Sequence, residues 1–489
     1  MAEHLASVQE ETTTSVAASC PPSSTYRESI RSVTWPQWQI RSAGSSQSGQ
    51  SGSTYSSISG ASSSSAADFG AEELTEIARR MVSDGYTQRM VQAFTSKDGA
   101  LQNWFVELDV DWVLEIRGGY GGSRRRLELL LQNSSASWRQ ELIDRWVRAL
   151  TIIVVSTSKE LVAGVHDTLA AARFGKASIS AMLVVVAPIL AVLKVENLQA
   201  VLHMYICVSS ASRDLGATHV VTSEAQSIFN EICVLLEREE SRLIETISNS
   251  LSKMRMTLIC DDSWVMDILR GGGEVHRKIQ FWVGCIVLMR KAHESMQKSS
   301  TQSHKAENLR RLIDGTIDYT KELLLRKSEF CSDPSLRYMF RLNNSYFVAH
   351  EVPEPSVSLD LGLGSGHHHR GLELTPECEQ YMKSYFDVSW GHVLSCILQS
   401  DSPGQPKRRK KNSSLAKFQS EFHKTYQAQK FWKVPDPQLR SLMRETITKR
   451  VIPGYRDYLK EHPELEKQDS GGSNSPAVLE EMLGELFEG

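Results

Sequence analysis

Apolar residues in this chain recur at three- and four-residue spacing from Ala71 onward, and sustained alternation of period two appears nowhere over a useful length. In Glu73-Leu-Thr-Glu-Ile-Ala-Arg-Arg-Met-Val, residues Leu74, Ile77, Ala78, Met81 and Val82 make one stripe of an amphipathic helix. Ile228, Ile232, Leu235, Leu236, Leu243 and Ile247 do the same in a long charged segment. A sheet needs the other period, so the chain is expected to be all-α. Breaks fall at Gly118–Ser123, Asn133–Ser137, Gly271–Gly273, Lys298–Ser303, Pro353–Gly371 and Ser400–Ser414. Without a 20–50-residue repeat, this punctuation predicts successive helical bundles rather than a solenoid, with the last two breaks as mobile loops.

Residues 1–70 contrast with the rest. They hold 20 serines, 13 of them between Ser42 and Ser65, and few large apolar side chains. Such a segment buries too little apolar surface to offset the entropy of ordering it, and a disordered tail is expected. Trp35 and Trp38, in Ser-Val-Thr-Trp-Pro-Gln-Trp, stand out as a candidate docking motif. The remainder divides into 71–270, 271–400 and 401–489.

The eight cysteines are scattered singly, without a C-x-x-C pair, as buried thiols of a reducing compartment would be. The start, Met1-Ala-Glu-His-Leu, has no basic, then apolar, secretory pattern, Ala2 stands where myristoylation needs glycine, and the C-terminus has no prenylation cysteine. Ala177–Leu193 is uncharged, but its apolar part from Ala181 is too short to span a bilayer and contains Pro188, so a buried core helix is expected.

Catalytic motifs fail on their chemistry. There is no G-x-x-x-x-G-K-[ST] phosphate cradle, and Gly271-Gly-Gly273 leads into Glu274, whose charge repels phosphate. His293-Glu294 and His350-Glu351 lack the second histidine of a zinc helix, with Gln297 and Glu354 in its place. Gly362-Leu-Gly-Ser-Gly366 lacks the spacing of a nucleophile elbow. His367-His368-His369 reads as a loop tract without convergent ligands, and His392 with Cys396 as a packed core pair one turn apart. Arg117-Gly-Gly-Tyr-Gly-Gly-Ser-Arg-Arg-Arg126 is a single arginine-glycine box; such boxes act on RNA as repeats, so it reads as a connection and no nucleic-acid partner is expected. Neither enzyme, metal nor cofactor is indicated.

The strongest chemical signal is charge. Between Asp401 and Lys460 there are 15 Lys+Arg against five Asp+Glu, a local +10 in a chain whose formal net charge is −3. The run Lys407, Arg408, Arg409, Lys410, Lys411 is followed by Lys417, Lys424, Lys430, Lys433, Arg440, Arg444, Lys449, Arg450, Arg456 and Lys460. Each basic residue at an anionic membrane surface contributes about 1 kcal/mol, so several together supply reversible attachment without a lipid anchor. A nuclear localisation signal and an ordinary solvated helix face are the competing readings. Asp436 is a good N-cap with Pro437 at the first helical position, followed by the stripe Leu439, Leu442, Met443 and Ile447. Arg440 and Arg444 lie one turn apart on its flank, placed to face solvent or a headgroup. A last helix is expected from Ser475-Pro476, with Leu479, Met482, Leu483, Leu486 and Phe487 on one face.

The segment Phe431-Trp-Lys-Val-Pro-Asp-Pro-Gln-Leu-Arg-Ser-Leu-Met-Arg-Glu-Thr-Ile-Thr-Lys-Arg-Val-Ile-Pro-Gly-Tyr-Arg-Asp-Tyr-Leu459 closely resembles the C-terminal signature of the seventy-kilodalton exocyst subunit family, in its plant branch. Leu74–Tyr86, Gly271-Gly-Gly-Glu-Val-His276, Tyr338–Val348 and Leu479–Gly489 agree in order. The resemblance implies an elongated rod of stacked antiparallel helical bundles, in a non-enzymatic protein that tethers secretory vesicles to the plasma membrane as a cytoplasmic, peripheral component. It also implies other exocyst subunits and small GTPases as partners, and a C-terminal bundle that meets phosphoinositides, notably phosphatidylinositol 4,5-bisphosphate. On that reading Arg440, Arg444, Lys449 and Arg450 carry the contact, with Lys407, Arg408, Arg409, Lys410 and Lys411 as a flexible auxiliary.

Three departures from the family pattern accompany these matches. A serine-rich tail precedes the first matching helix where the family has coiling helices, Arg277-Lys-Ile-Gln-Phe281 replaces a usual Pro-Leu-Thr-Arg-Tyr, and Gly454 replaces alanine. A divergent, N-terminally shortened paralogue is expected. The alternative function is an adaptor outside the exocyst, with immune receptors among its partners.

Overall fold

A computed structural model describes residues 24–33, 65–96, 99–118, 122–158, 167–216, 223–297, 303–353, 374–398, 407–465 and 474–489. The chain is all-α: these residues form helices and their connections, with one isolated β-bridge between Lys433 and Glu488. They divide into two compact units, one comprising the described residues up to Val192 together with 210–239, the other 193–209 and 240–489.

The first unit contains α1 (Ser24–Ser32), α2 (Ser65–Ser83), α3 (Tyr86–Thr95), α4 (Ala100–Glu107), α5 (Trp112–Gly118), α6 (Gly122–Asn133), α7 (Ala136–Thr157), α8 (Thr168–Val184) and α9 (Val186–Val192). The stripe read on α2 is inside: Leu74, Ile77, Ala78 and Met81 are buried. The break at Asn133–Ser137 is real, because Ser135 caps α7 by accepting the Trp138 N–H at 3.1 Å. Ile143, Trp146, Leu150 and Ile153 of α7 are fully buried, and the Trp146 indole N–H donates to the Met182 carbonyl at 2.9 Å.

That bond lies in the uncharged segment expected to be core. The stretch Thr168–Val192 has the length and apolarity of a membrane span, yet 56% of its most apolar window is buried within the fold. It is interrupted at Val185, with Pro188 in the first turn of α9, where a missing N–H costs little.

Two stretches of the serine-rich segment depart from the disorder expected across residues 1–70: residues 65–70 open α2, and a separate helix lies upstream. Ser24–Ser32 is helical, with Tyr26, Ile30 and Val33 buried. These residues follow i, i+4, i+7 spacing, so a short apolar stripe is present where the average composition is polar. Trp35, Trp38, the glycine-rich centre of the arginine-glycine box and His367–His369 lie outside the described residues.

Helices α10 (Leu198–Gly216) and α11 (Ser223–Ile259) each contribute to both units. The second unit continues with α12 (Trp264–Arg270), α13 (Arg277–Gln297), α14 (Ser303–Glu329), α15 (Pro334–Glu351), α16 (Pro376–Phe386), a π-helical turn at Asp387–Gly391, α17 (His392–Leu398), α18 (Lys407–Gln429), α19 (Pro437–Lys460) and α20 (Pro476–Gly484). Four of these start with a capping residue followed by proline: Asp333-Pro334, Thr375-Pro376, Asp436-Pro437 and Ser475-Pro476. In each, the side-chain oxygen satisfies a first-turn N–H and proline occupies a position that has no helical donor to lose.

Several expectations are corrected by this arrangement. The basic run 407–411 forms the first turns of α18 rather than a loop. His392 is exposed and Cys396 directs its thiol to the His392 carbonyl at 3.4 Å, so the two are not a buried core pair. Leu486 and Phe487 are buried, but they pack from a turn beyond α20, with Phe487 at φ 69°. Gly454 does not lie on an open helix face: a Cβ there would meet Leu394 Cδ2 at 3.2 Å, so an alanine needs that side chain to move by a few tenths of an ångström.

Candidate functional site

The basic helix α19 is fixed by the signals read in its sequence. Asp436 accepts the N–H groups of Gln438 and Leu439 at 2.9 and 2.8 Å, and Leu439, Met443, Ile447, Val451 and Tyr455 are buried. Arg440, Arg444, Lys449 and Arg450 project from its flanks, and they fall into two pairs with different surroundings.

Arg440 and Arg444 are committed within the protein. Arg440 donates from Nε to the Val434 carbonyl at 3.0 Å and from Nη1 to Glu488 at 2.8 Å. Arg444 donates from Nε to the Leu486 carbonyl at 2.7 Å and from Nη2 to Glu488 at 2.6 Å. Their side chains are only 23% and 21% exposed. The Arg444 hydrogen bond, helped by the charges of both arginines and opposed by burial, holds the Glu488 carboxyl below its usual range. Both arginines are thus engaged by carbonyls and by Glu488 within the fold, where the helical wheel alone places them toward solvent or a headgroup. Their partners Leu486 and Glu488 lie more than forty positions away, beyond the reach of a helical wheel.

Lys449 and Arg450 are exposed. Lys449 pairs with Glu445 one turn back, a surface contact of little energetic weight. Arg450 has its guanidinium carbon 4.5 Å from the centroid of the Phe386 ring, a cation–π arrangement that holds the group in place while its N–H edge stays available. The ring comes from α16, which also brings the exposed Lys383 to the same groove. Leu442 and Thr446 line the α19 side, Glu379 and Met382 the α16 side, and the cavity has a volume of about 330 Å³. Lys383 has no carboxylate within ion-pairing distance among the described residues. Nothing local in the sequence marks this lysine, because it stands outside the basic region and only folding places it beside Arg450. The side chains of Lys407, Arg408, Arg409, Lys410 and Lys411 lie outside the described residues.

Beside this surface, four segments meet in one junction. Gly272 and Gly273 turn at φ 57° and 81°, and the Gly272 carbonyl accepts the Lys433 N–H at 3.2 Å. The Asn343 amide donates to the Gly273 and Lys433 carbonyls at 2.7 and 2.9 Å. Asn344 accepts the His276 N–H at 2.9 Å. The Val434 N–H donates to the Phe487 carbonyl at 3.3 Å, and Arg440 with Arg444 closes the other side through Glu488. A side chain on Gly273 would have its Cβ 2.9 Å from Met339 Cγ, so that position needs glycine for space as well as for its backbone.

These segments carry four of the five stretches that resemble the exocyst family. The family model for the C-terminal part of the Exo70 exocyst complex component matches residues 157–485. The chain belongs to the Exo70 family. The fifth stretch, Leu74–Tyr86, lies outside that match. Exocyst complex component EXO70C1 of Arabidopsis thaliana is 29% identical over 199 residues, 40% of this chain and 30% of the relative. EXO70A1 of the same plant is 29% identical over 181 residues, 33% of this chain and 27% of the relative. The aligned region thus spans less than a third of these curated relatives. The solved Exo70 of S. cerevisiae superposes with a TM-score of 0.34 at 13% identity over 87% of each chain.

Proposed function

We propose that this chain is a non-catalytic exocyst-type subunit that helps to hold secretory vesicles at the plasma membrane, and that the groove between α16 and α19 is where it meets anionic phosphoinositide headgroups. The observation that carries the lipid reading is the placement of Arg450 on Phe386 beside Lys383 and Lys449. It presents two cations, one from each helix, at a shallow cavity, with Lys449 exposed next to Arg450 in the sequence. A guanidinium held on an aromatic ring loses little further entropy when it binds phosphate, and its planar fork suits two phosphate oxygens. The run 407–411 adds five positive charges on α18, where attraction to an anionic surface needs no fixed geometry. Family membership supports the tethering role, other exocyst subunits as partners, and a peripheral location at the cytoplasmic side of the plasma membrane.

The test is sedimentation of the full chain with vesicles of neutral lipid, with and without phosphatidylinositol 4,5-bisphosphate. Changing Lys383, Lys449 and Arg450 together to Glu should lower the affinity for the phosphoinositide vesicles by at least about a hundredfold, since three contacts of roughly 1 kcal/mol each are lost. Unchanged binding by a folded triple variant would remove this groove from consideration.

A further inference from the structure

Helix α1 is too short to be stable alone, since isolated helices below about 12 residues are marginal in water. Its order comes from the way the first unit grips it at both ends and along one side. At its start, buried Glu107 accepts the Arg27 N–H at 3.2 Å, standing in for a capping residue. At its end, Arg148 donates to the carbonyls of Ile30 and Arg31 at 3.2 and 3.0 Å. Between them, Arg27 and Arg31 converge on one carboxylate: Asp109 receives Nε and Nη2 of Arg27 at 2.9 and 2.7 Å, and Nε and Nη2 of Arg31 at 2.9 and 2.6 Å. Tyr26, Ile30 and Val33 fill the apolar side, and the Tyr26 hydroxyl donates to Asp84 at 2.5 Å.

Asp109 is 2% exposed and sits at φ 62°, a conformation uncommon for a residue with a side chain. Among the described residues, Arg145 at 3.7 Å is the one ion-pairing cation on Asp109 that does not come from α1. A buried carboxylate that ends α4 in a left-handed cap and receives two arginines of a separate short helix is complementary to a helix that carries arginines one turn apart.

We propose that this groove recognises a basic amphipathic helix of the pattern Tyr-Arg-x-x-Ile-Arg-x-Val, with arginines one turn apart. The chain's own residues 24–33 occupy it as a tethered competitor, and a partner protein's helix of the same chemistry displaces them. Apolar anchors at i, i+4 and i+7 with flanking charge are the ordinary code of helix-in-groove binding. Covalent attachment gives the resident helix a high effective concentration, so an incoming helix meets a closed site until α1 is released.

The experiment uses the full chain and a fluorescent peptide of residues 22–36 as probe, followed by anisotropy. In a chain carrying Arg27→Glu and Arg31→Glu the resident helix is weakened, and the probe should bind at least about tenfold tighter than to the unaltered chain. Adding Asp109→Asn should abolish that gain. Equal binding to the unaltered and released chains, or no binding to a released chain that keeps its helical circular dichroism, would overturn the proposal. Hydrogen exchange on the unaltered chain gives a second reading that needs no variant. The amides of 24–33 should exchange at least about a hundredfold faster than those of α7, and exchange of both only together would mean that α1 never leaves.

Discussion

Replacing Arg444 by alanine separates a structural arginine from a lipid-binding one. The side chain donates to the Leu486 carbonyl and to Glu488, and it is only 21% exposed. Losing a charged donor to a part-buried carbonyl costs about 1.5–3 kcal/mol, and the pair with Glu488, whose carboxylate is 58% exposed, adds at most about 1 kcal/mol. The expected loss is about 2–4 kcal/mol for the second unit, which for a unit of this size lowers its thermal midpoint by on the order of 5–10 °C. Scanning calorimetry of the full chain reads this directly. The two units need not melt together, so the transition to follow is the one that moves. Arg450→Ala, by contrast, removes a cation–π contact worth about 0.5–1 kcal/mol and should leave the midpoint nearly unchanged while lowering vesicle binding. If Arg444→Ala shifted no transition yet abolished binding to phosphoinositide vesicles, the assignment of Arg444 to the junction would be wrong.

Two further outcomes follow from the same junction. Gly273→Ala should destabilise the second unit by about 2–4 kcal/mol, because the left-handed backbone penalty adds to the contact with Met339, and chemical denaturation would show it as a lower midpoint. His276 stacks on Trp264 with ring centroids 3.9 Å apart, and burial holds its imidazole down to about 4 despite the hydrogen bond with Asp267. The unfolded chain takes up that proton near pH 6.5, so His276 alone should lower stability by about 3 kcal/mol as pH drops from about 6.5 to about 4, and His203, also held down to about 4 by burial, adds to the fall. Denaturation at pH 7, 6 and 5 checks the slope, which His276→Gln should flatten.

The helices were legible because their signals are local. Asp436-Pro437 and Ser475-Pro476 start helices where the sequence places them, and the stripe Leu74 to Met81 is buried as its spacing requires. The surface was legible only in part. A wheel shows that Arg440 and Arg444 leave the apolar stripe, but which flank meets Leu486 and Glu488 depends on a chain reversal that no local period encodes. Lys383 failed to register for the converse reason, since a single lysine on α16 gains meaning only beside Arg450. In α1, the apolar spacing of Tyr26, Ile30 and Val33 was present, and averaging composition over seventy residues concealed it.

Synthesis from the N-terminus builds the junction in a fixed order. Gly272, Asn343 and Lys433 can find one another once the ribosome has made α19, yet the clamp on Arg440 and Arg444 has no second jaw until Leu486 and Glu488 have emerged. Any change that removes Leu486 and Glu488 would therefore leave both guanidinium groups on α19 without these acceptors and open to anionic partners.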